Sequence, residues 1–171
     1  DDAMLSYTPP GHWIAIMTQV AVEKGLDLTA QVEALARMGV AMADAFIGCW
    51  AAKYQYDLVR PISYIKQVID PKWEPLLITP PFPEYPSGHS TQSAAAASVL
   101  TALFGENYSF TDESPTPDGV PTRSFASFWA AADEAAISRL YGGIHYMPAI
   151  KHGQDQGRCI AAYAIALKTR A

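Results

Sequence analysis

Residues 28–57 carry a small or apolar residue at every third or fourth place, through Val32, Leu35, Gly39, Ala43, Phe46 and Trp50. The Arg60-Pro61 pair then stops the pattern. That spacing is the mark of one long amphipathic helix. Four more main helices follow from the same reading, over 11–24, 88–104, 123–141 and 149–169. Gly25, Gly105 and Gly142-Gly143 end the first three, because glycine accepts the backbone turn that closes a helix. A short helical piece, 62–69, follows Pro61, and 70–86, with its prolines, crosses the molecule without regular structure. Residues 106–122 read as a polar loop containing Pro115, Pro117 and Pro121. No stretch alternates with period two, and no unit repeats at a period of roughly 20–50 residues. The expected fold is all-α, a bundle of about five main helices in a single domain over 1–171.

The helical stripes contain an anomaly. Continued by steps of three and four, the stripe of 28–57 arrives at Lys53, Asp57 and Arg60. In 123–141, Phe125, Phe128, Ala132 and Ala135 lead to Arg139; in 88–104, His89 heads Ser93, Ala96, Leu100 and Leu103. Charge facing a core is unfavourable unless it is compensated. Fraying of the helix ends, or pairing of Asp57 with Lys53 or Arg60, accounts for any one of these residues. A shared buried anion accounts for all of them.

The segment Pro86-Ser87-Gly88-His89 suits that anion. It opens a helix, where backbone N–H groups lack intrahelical partners and the helix dipole is positive. Ser87 and Gly88 would offer amides, Gly88 would allow close approach, and His89 would give or take a proton. The plainer reading is an N-cap serine followed by a surface histidine. Glu84 reads as a solvated loop charge. His145 lies just past Gly142-Gly143 and six residues after Arg139. It suits a phosphoryl nucleophile or a ligand to a metal oxyanion, with a hydrogen-bonded structural histidine as the alternative. His12 and His152 read as structural or pocket-lining residues.

Other classes fit less well. The net charge of −5, with no Lys/Arg cluster, argues against nucleic acid as a partner. No apolar run of about 18 residues suggests a membrane span, and no leader pattern is present. The chain begins at Asp1 and so reads as processed or as a fragment. Cys49 and Cys159 read as small core residues. The motifs GxSxG, HExxH, GxGxxG and GxxxxGK[ST] are all missing.

Taken in order, Lys53-x6-Arg60-Pro61, Pro86-Ser87-Gly88-His89 and Ser138-Arg139-x5-His145 resemble a three-part signature. It belongs to the vanadium-dependent haloperoxidases and type-2 phosphatidic acid phosphatases, a superfamily of helical bundles. The resemblance spans roughly 44–160. It implies that Lys53, Arg60 and Arg139 hold the equatorial oxygens of vanadate or phosphate, with donors added by Ser87 and Gly88. It also implies that His145 is the vanadium ligand or the phosphoryl nucleophile, and that His89 is the acid/base at the apex. The chemistry is consistent, since arginine grips an oxyanion with two prongs and lysine supplies a point charge.

Within the superfamily, "FPEYPSGHST" at 82–91 looks closer to the haloperoxidases. Phe82 stands where fungal chloroperoxidases carry Phe and algal bromoperoxidases carry His, which assigns it to a halide pocket. "TPPGHW" at 8–13 and "SRLYGGIHY" at 138–146 resemble bacterial haloperoxidase-like members. The resemblance therefore implies a vanadate cofactor, with peroxide and halide as small-molecule substrates. An acid phosphatase acting on phosphate monoesters without a cofactor is the alternative, followed by an inactive oxyanion-binding homologue. One position departs from the pattern. The signature ends His-x3-Asp, the Asp orienting the histidine, and here that place is Ala149. The chain is also short for the family. A missing N-terminal region, or self-association into a homo-oligomer, would supply the further helices. Exported relatives are common, and the compartment is left open.

Overall fold

A computed structural model describes residues 8–114, 119 and 121–169. Pro115 and Pro117 of the polar loop, and the chain start, lie outside the described residues. Six helices are present among the described residues: α1 (Pro9–Glu23), α2 (Leu28–Tyr56), α3 (Pro61–Val68), α4 (Gly88–Phe104), α5 (Phe128–Tyr141) and α6 (Met147–Ile165). Two short strands, β1 (Phe110–Asp112) and β2 (Arg123–Phe125), pair antiparallel with Phe110 opposite Phe125. The all-α bundle expected from the sequence is the observed architecture, with α3 as the short helix after Pro61.

Helix α4 is the axis of the bundle. Ala94, Ala95, Ala96 and Ala97 are all fully buried, so the helix is covered on every side. It packs most extensively on α6, with α2 and α5 on its flanks. The contact with α6 is close because α6 presents glycines. A Cβ on Gly157 would lie 2.2 Å from the Thr91 carbonyl oxygen, and one on Gly153 would lie 2.8 Å from that of Ser87. This pairing places the first turn of α4 against the first half of α6.

Three sequence expectations need correction. The buried face of α2 is Ala34, Met38, Ala41, Met42, Ala45, Cys49 and Lys53, whereas Val32, Leu35 and Phe46 are exposed. The alanine-rich wall of α4 selects a face of small and flexible side chains, which allow the helices to approach. Second, α5 begins at Phe128 and not at 123. Ser127 caps it, its Oγ accepting from Ala130 N at 3.0 Å, while Phe125 belongs to β2. Third, Cys49 is buried, but Cys159 is exposed on α6. By length and composition alone, Leu28–Val68 passes as a membrane span. Its Ala34–Lys53 face is packed within the bundle.

Candidate active site

Asp57 closes α2 in the left-handed conformation, with φ of 46°, and is exposed. It pairs with neither Lys53 nor Arg60, so the buried cations must find other partners. Lys53, one turn earlier, is completely buried. Its Nζ donates to the carbonyls of Pro83 at 2.8 Å, Glu84 at 3.2 Å and Pro86 at 2.6 Å. Three acceptors use all three N–H bonds of an ammonium, so Lys53 is charged. Burial pushes its pKa down to about 8, which leaves it largely protonated at neutral pH. Lys53 was expected to hold an oxyanion directly. Here it braces the segment that carries the site, 5.2 Å above the Phe82 ring.

Arg60 is the N-cap of α3 and only 6% exposed. Its Nε donates to Phe82 O at 3.0 Å and its Nη1 to Ile144 O at 2.8 Å. Nη1 also lies 3.1 Å from His145 Nε2, while Nη2 is buried with no partner among the described residues. A guanidinium only donates, so His145 Nε2 must be the acceptor. The proton therefore sits on Nδ1, which donates to Glu84 Oε1 at 2.7 Å. His145 is 4% exposed, and its pKa is pushed down to about 4. Burial is the leading cause; the Glu84 contact opposes it, and the Arg60 and Lys53 charges reinforce it. The imidazole is neutral, with its Nε2 lone pair on the Arg60 side.

Glu84 is not the solvated loop charge that the sequence suggested. It is 2% exposed, and Oε1 also accepts from Tyr146 N at 3.0 Å. One acidic residue inside a proline-rich segment was the only signal for it, and a non-helical segment offers no periodicity to show which way a side chain faces. With His145 neutral, the cluster of Lys53, Arg60, Glu84 and His145 has one positive charge in excess. That excess, together with the unpartnered Arg60 Nη2, matches an oxyanion.

The mouth of α4 differs in detail from the expectation. Ser87 N donates to Ala149 O at 3.0 Å, so its amide is already engaged. Ser87 Oγ caps the helix, accepting from Ser90 N at 3.3 Å and Ser90 Oγ at 2.9 Å. Gly88 opens the first turn, where helix amides have no intrahelical acceptor. Trp50 packs on Gly88, where a Cβ would lie 3.1 Å from the ring and would need it to give by a few tenths of an ångström. Trp50 in turn stacks on Phe46 at 3.8 Å and lies 5.1 Å from Phe82. These rings wall a cavity of about 350 Å³ that reaches His89 and His145. Phe82 lines this cavity.

His89 also borders a second cavity of about 170 Å³, shared with His12, Ser93 and Arg139. Arg139 lines this second cavity and not the first, its Nε donating to Ser138 Oγ at 2.9 Å. Lys53, Arg60 and His145 are linked through Glu84 into one cluster, and Arg139 lines a cavity with His89. His12 is bonded through Nε2 to Asp112 Oδ2 at 2.6 Å, and His152 through Nδ1 to the Tyr85 hydroxyl at 2.9 Å. Both fit their reading as structural or pocket-lining residues.

Comparison with known proteins identifies the family and the fold. The family model for the VCPO second helical-bundle domain matches residues 33–71 and 66–171. Vanadium chloroperoxidase of Curvularia inaequalis is 26% identical over 206 residues, covering 85% of this chain and 34% of that protein. A crystal structure of a bacterial vanadium-dependent iodoperoxidase superposes with a TM-score of 0.90 at 52% identity, over 92% of this chain and 38% of that one. A holo-type bacterial vanadium-dependent chloroperoxidase shares the fold, with a TM-score of 0.75 at 18% identity over 92% of this chain and 40% of that one. The chain thus spans little more than a third of the relatives it matches. A bundle with a buried arginine–histidine–carboxylate centre at the mouth of its central helix, matched over most of its length, belongs to the VCPO second helical-bundle domain family.

Proposed function

We propose that this chain is the vanadate-binding bundle of a haloperoxidase that oxidises halide with hydrogen peroxide. The observation that carries the reading is the buried Arg60, whose Nη1 lies 3.1 Å from the neutral His145 while its Nη2 is buried and unpartnered among the described residues. Arg60 supplies charge and two-pronged geometry to an oxyanion, and Lys53 adds positive potential while holding the 83–86 carbonyls in place. Gly88 would contribute a first-turn amide, and Arg139 would add charge from the cavity it lines with His89. His145 presents the Nε2 lone pair, the form a metal ligand requires. Bound vanadate would supply Lewis acidity toward peroxide. His89, bordering both cavities, is placed to hold or move a proton at the apex. Phe82, Trp50 and Phe46 make an apolar wall that suits a weakly hydrated halide such as iodide.

A paired assay tests this: bromide and iodide oxidation, and aryl phosphate hydrolysis, each with and without orthovanadate. Halide oxidation that appears only with orthovanadate is the expected result. Phosphate ester hydrolysis inhibited by orthovanadate would overturn it in favour of a phosphatase, and binding without turnover would leave an inactive homologue.

A further inference from the structure

We propose that Glu84 is the positioning residue for His145, supplying from the segment before α4 the carboxylate that position 149 lacks. The proposal deepens the oxyanion reading of the site and rests on it. Three observations carry it.

First, the bond geometry is specific. Glu84 Oε1 takes the Nδ1 proton of His145 at 2.7 Å and the amide of the next residue, Tyr146, at 3.0 Å. One oxygen thus fixes both the ring and the backbone that carries it. With Nδ1–H committed, the lone pair must be on Nε2, facing Arg60.

Second, Glu84 is anchored through its own backbone. Its N–H donates to Leu58 O at 2.9 Å, and its carbonyl accepts from Lys53 Nζ at 3.2 Å. Leu58 lies between Lys53 and Arg60 in the chain. The carboxylate is therefore held by the same stretch that carries both cations, so nucleophilic nitrogen and cations keep a common register.

Third, position 149 has a different task. Ala149 is 1% exposed, and its carbonyl accepts from Ser87 N at 3.0 Å. It locks the start of α4 to the start of α6 and presents no side-chain acceptor to His145. A mere counter-ion for Lys53 and Arg60 would need proximity only. It would not need to accept from the Nδ1–H of His145 and the neighbouring amide on one oxygen.

The test begins with the unaltered protein. Nitrogen-15 NMR of its labelled histidines reads the His145 tautomer, and Nδ1–H is expected; Nε2–H would overturn the proposal. Orthovanadate binding is then titrated in Glu84→Ala, Ala149→Asp, and the double variant. Glu84→Ala is expected to weaken binding about 10- to 100-fold and to mix the tautomers, and the double variant is expected to recover both. Binding by Glu84→Ala within about twofold of the unaltered protein would overturn the proposal, as would a gain from Ala149→Asp alone. If Glu84→Ala does not fold, Glu84→Gln takes its place, read by the same titration and spectrum. If the unaltered protein binds neither orthovanadate nor phosphate, the functional reading fails while the tautomer still decides the role of Glu84.

Discussion

Arg60 Nη1 lies 3.1 Å from His145 Nε2, and the arginine can only donate, so the histidine meets it as a neutral base. Arginine and imidazole are in direct contact, and in the proposed function an incoming oxyanion would take the guanidinium's hydrogen bond in place of the lone pair. The contact predicts that Arg60→Lys is not conservative. A lysine cannot reach Phe82 O, Ile144 O and an oxyanion together. Orthovanadate or phosphate affinity is expected to fall about 10- to 100-fold, at about 1.5–3 kcal/mol per charged hydrogen bond. Isothermal titration, with the melting temperature as a check on folding, measures it; unchanged affinity would exclude Arg60 as a ligand.

His145→Ala and His89→Ala are expected to separate two functions. The first removes the Nε2 lone pair beside Arg60 and is expected to abolish turnover. The second removes a proton donor at the junction of two cavities. It is expected to lower turnover by about 10²- to 10⁴-fold while oxyanion binding survives. Equal, near-normal turnover in both variants would reject these assignments.

The neutral state of His145 makes stability depend on pH. Its pKa is held down to about 4 in the folded protein, mainly by burial, against an ordinary value of 6.5. Between these values the unfolded chain binds the proton and the folded one does not. Stability therefore falls as the pH is lowered from about 6.5 toward 4, by on the order of 3 kcal/mol. Urea midpoints across that range measure the slope, and a His145→Gln variant is expected to flatten it.

Lys53→Met is predicted to act first on the fold. It removes the donor shared by the carbonyls of Pro83, Glu84 and Pro86. Buried acceptors left unsatisfied cost about 1–3 kcal/mol each. A loss of at least 3 kcal/mol is expected in chemical denaturation, with earlier proteolysis near 83–86. A loss confined to oxyanion affinity, with stability intact, would show that the lysine serves the ligand directly.

Gly157→Ala probes the axis of the bundle. The added methyl would sit 2.2 Å from the Thr91 carbonyl oxygen, a backbone atom that cannot rotate aside. Separating α4 from α6 is expected to cost about 1–3 kcal/mol or more, read as a lowered melting temperature. A neutral result would mean that the two helices are not so tightly apposed.

Helix number, order and main breaks were legible because apolar spacing and Pro/Gly punctuation are local properties of the chain. The three motifs were legible for a related reason. Lys53, Arg60 and His145 are buried polar residues at recognisable intervals, and such residues stand out against an apolar pattern. What each one touches was not legible. Lys53 turned to three backbone carbonyls, Ser87 gave its amide to Ala149, and Arg139 lines a second cavity with His89. Glu84 was misread because it lies 61 residues from His145, in a segment with no period to orient it. The sequence by itself determined a helical bundle and the residue types that meet an anion, since spacing and composition are written in the chain. Only the tertiary structure decided which face of α2 is the core and which carboxylate orients His145, because both depend on the close approach of segments that are distant in sequence.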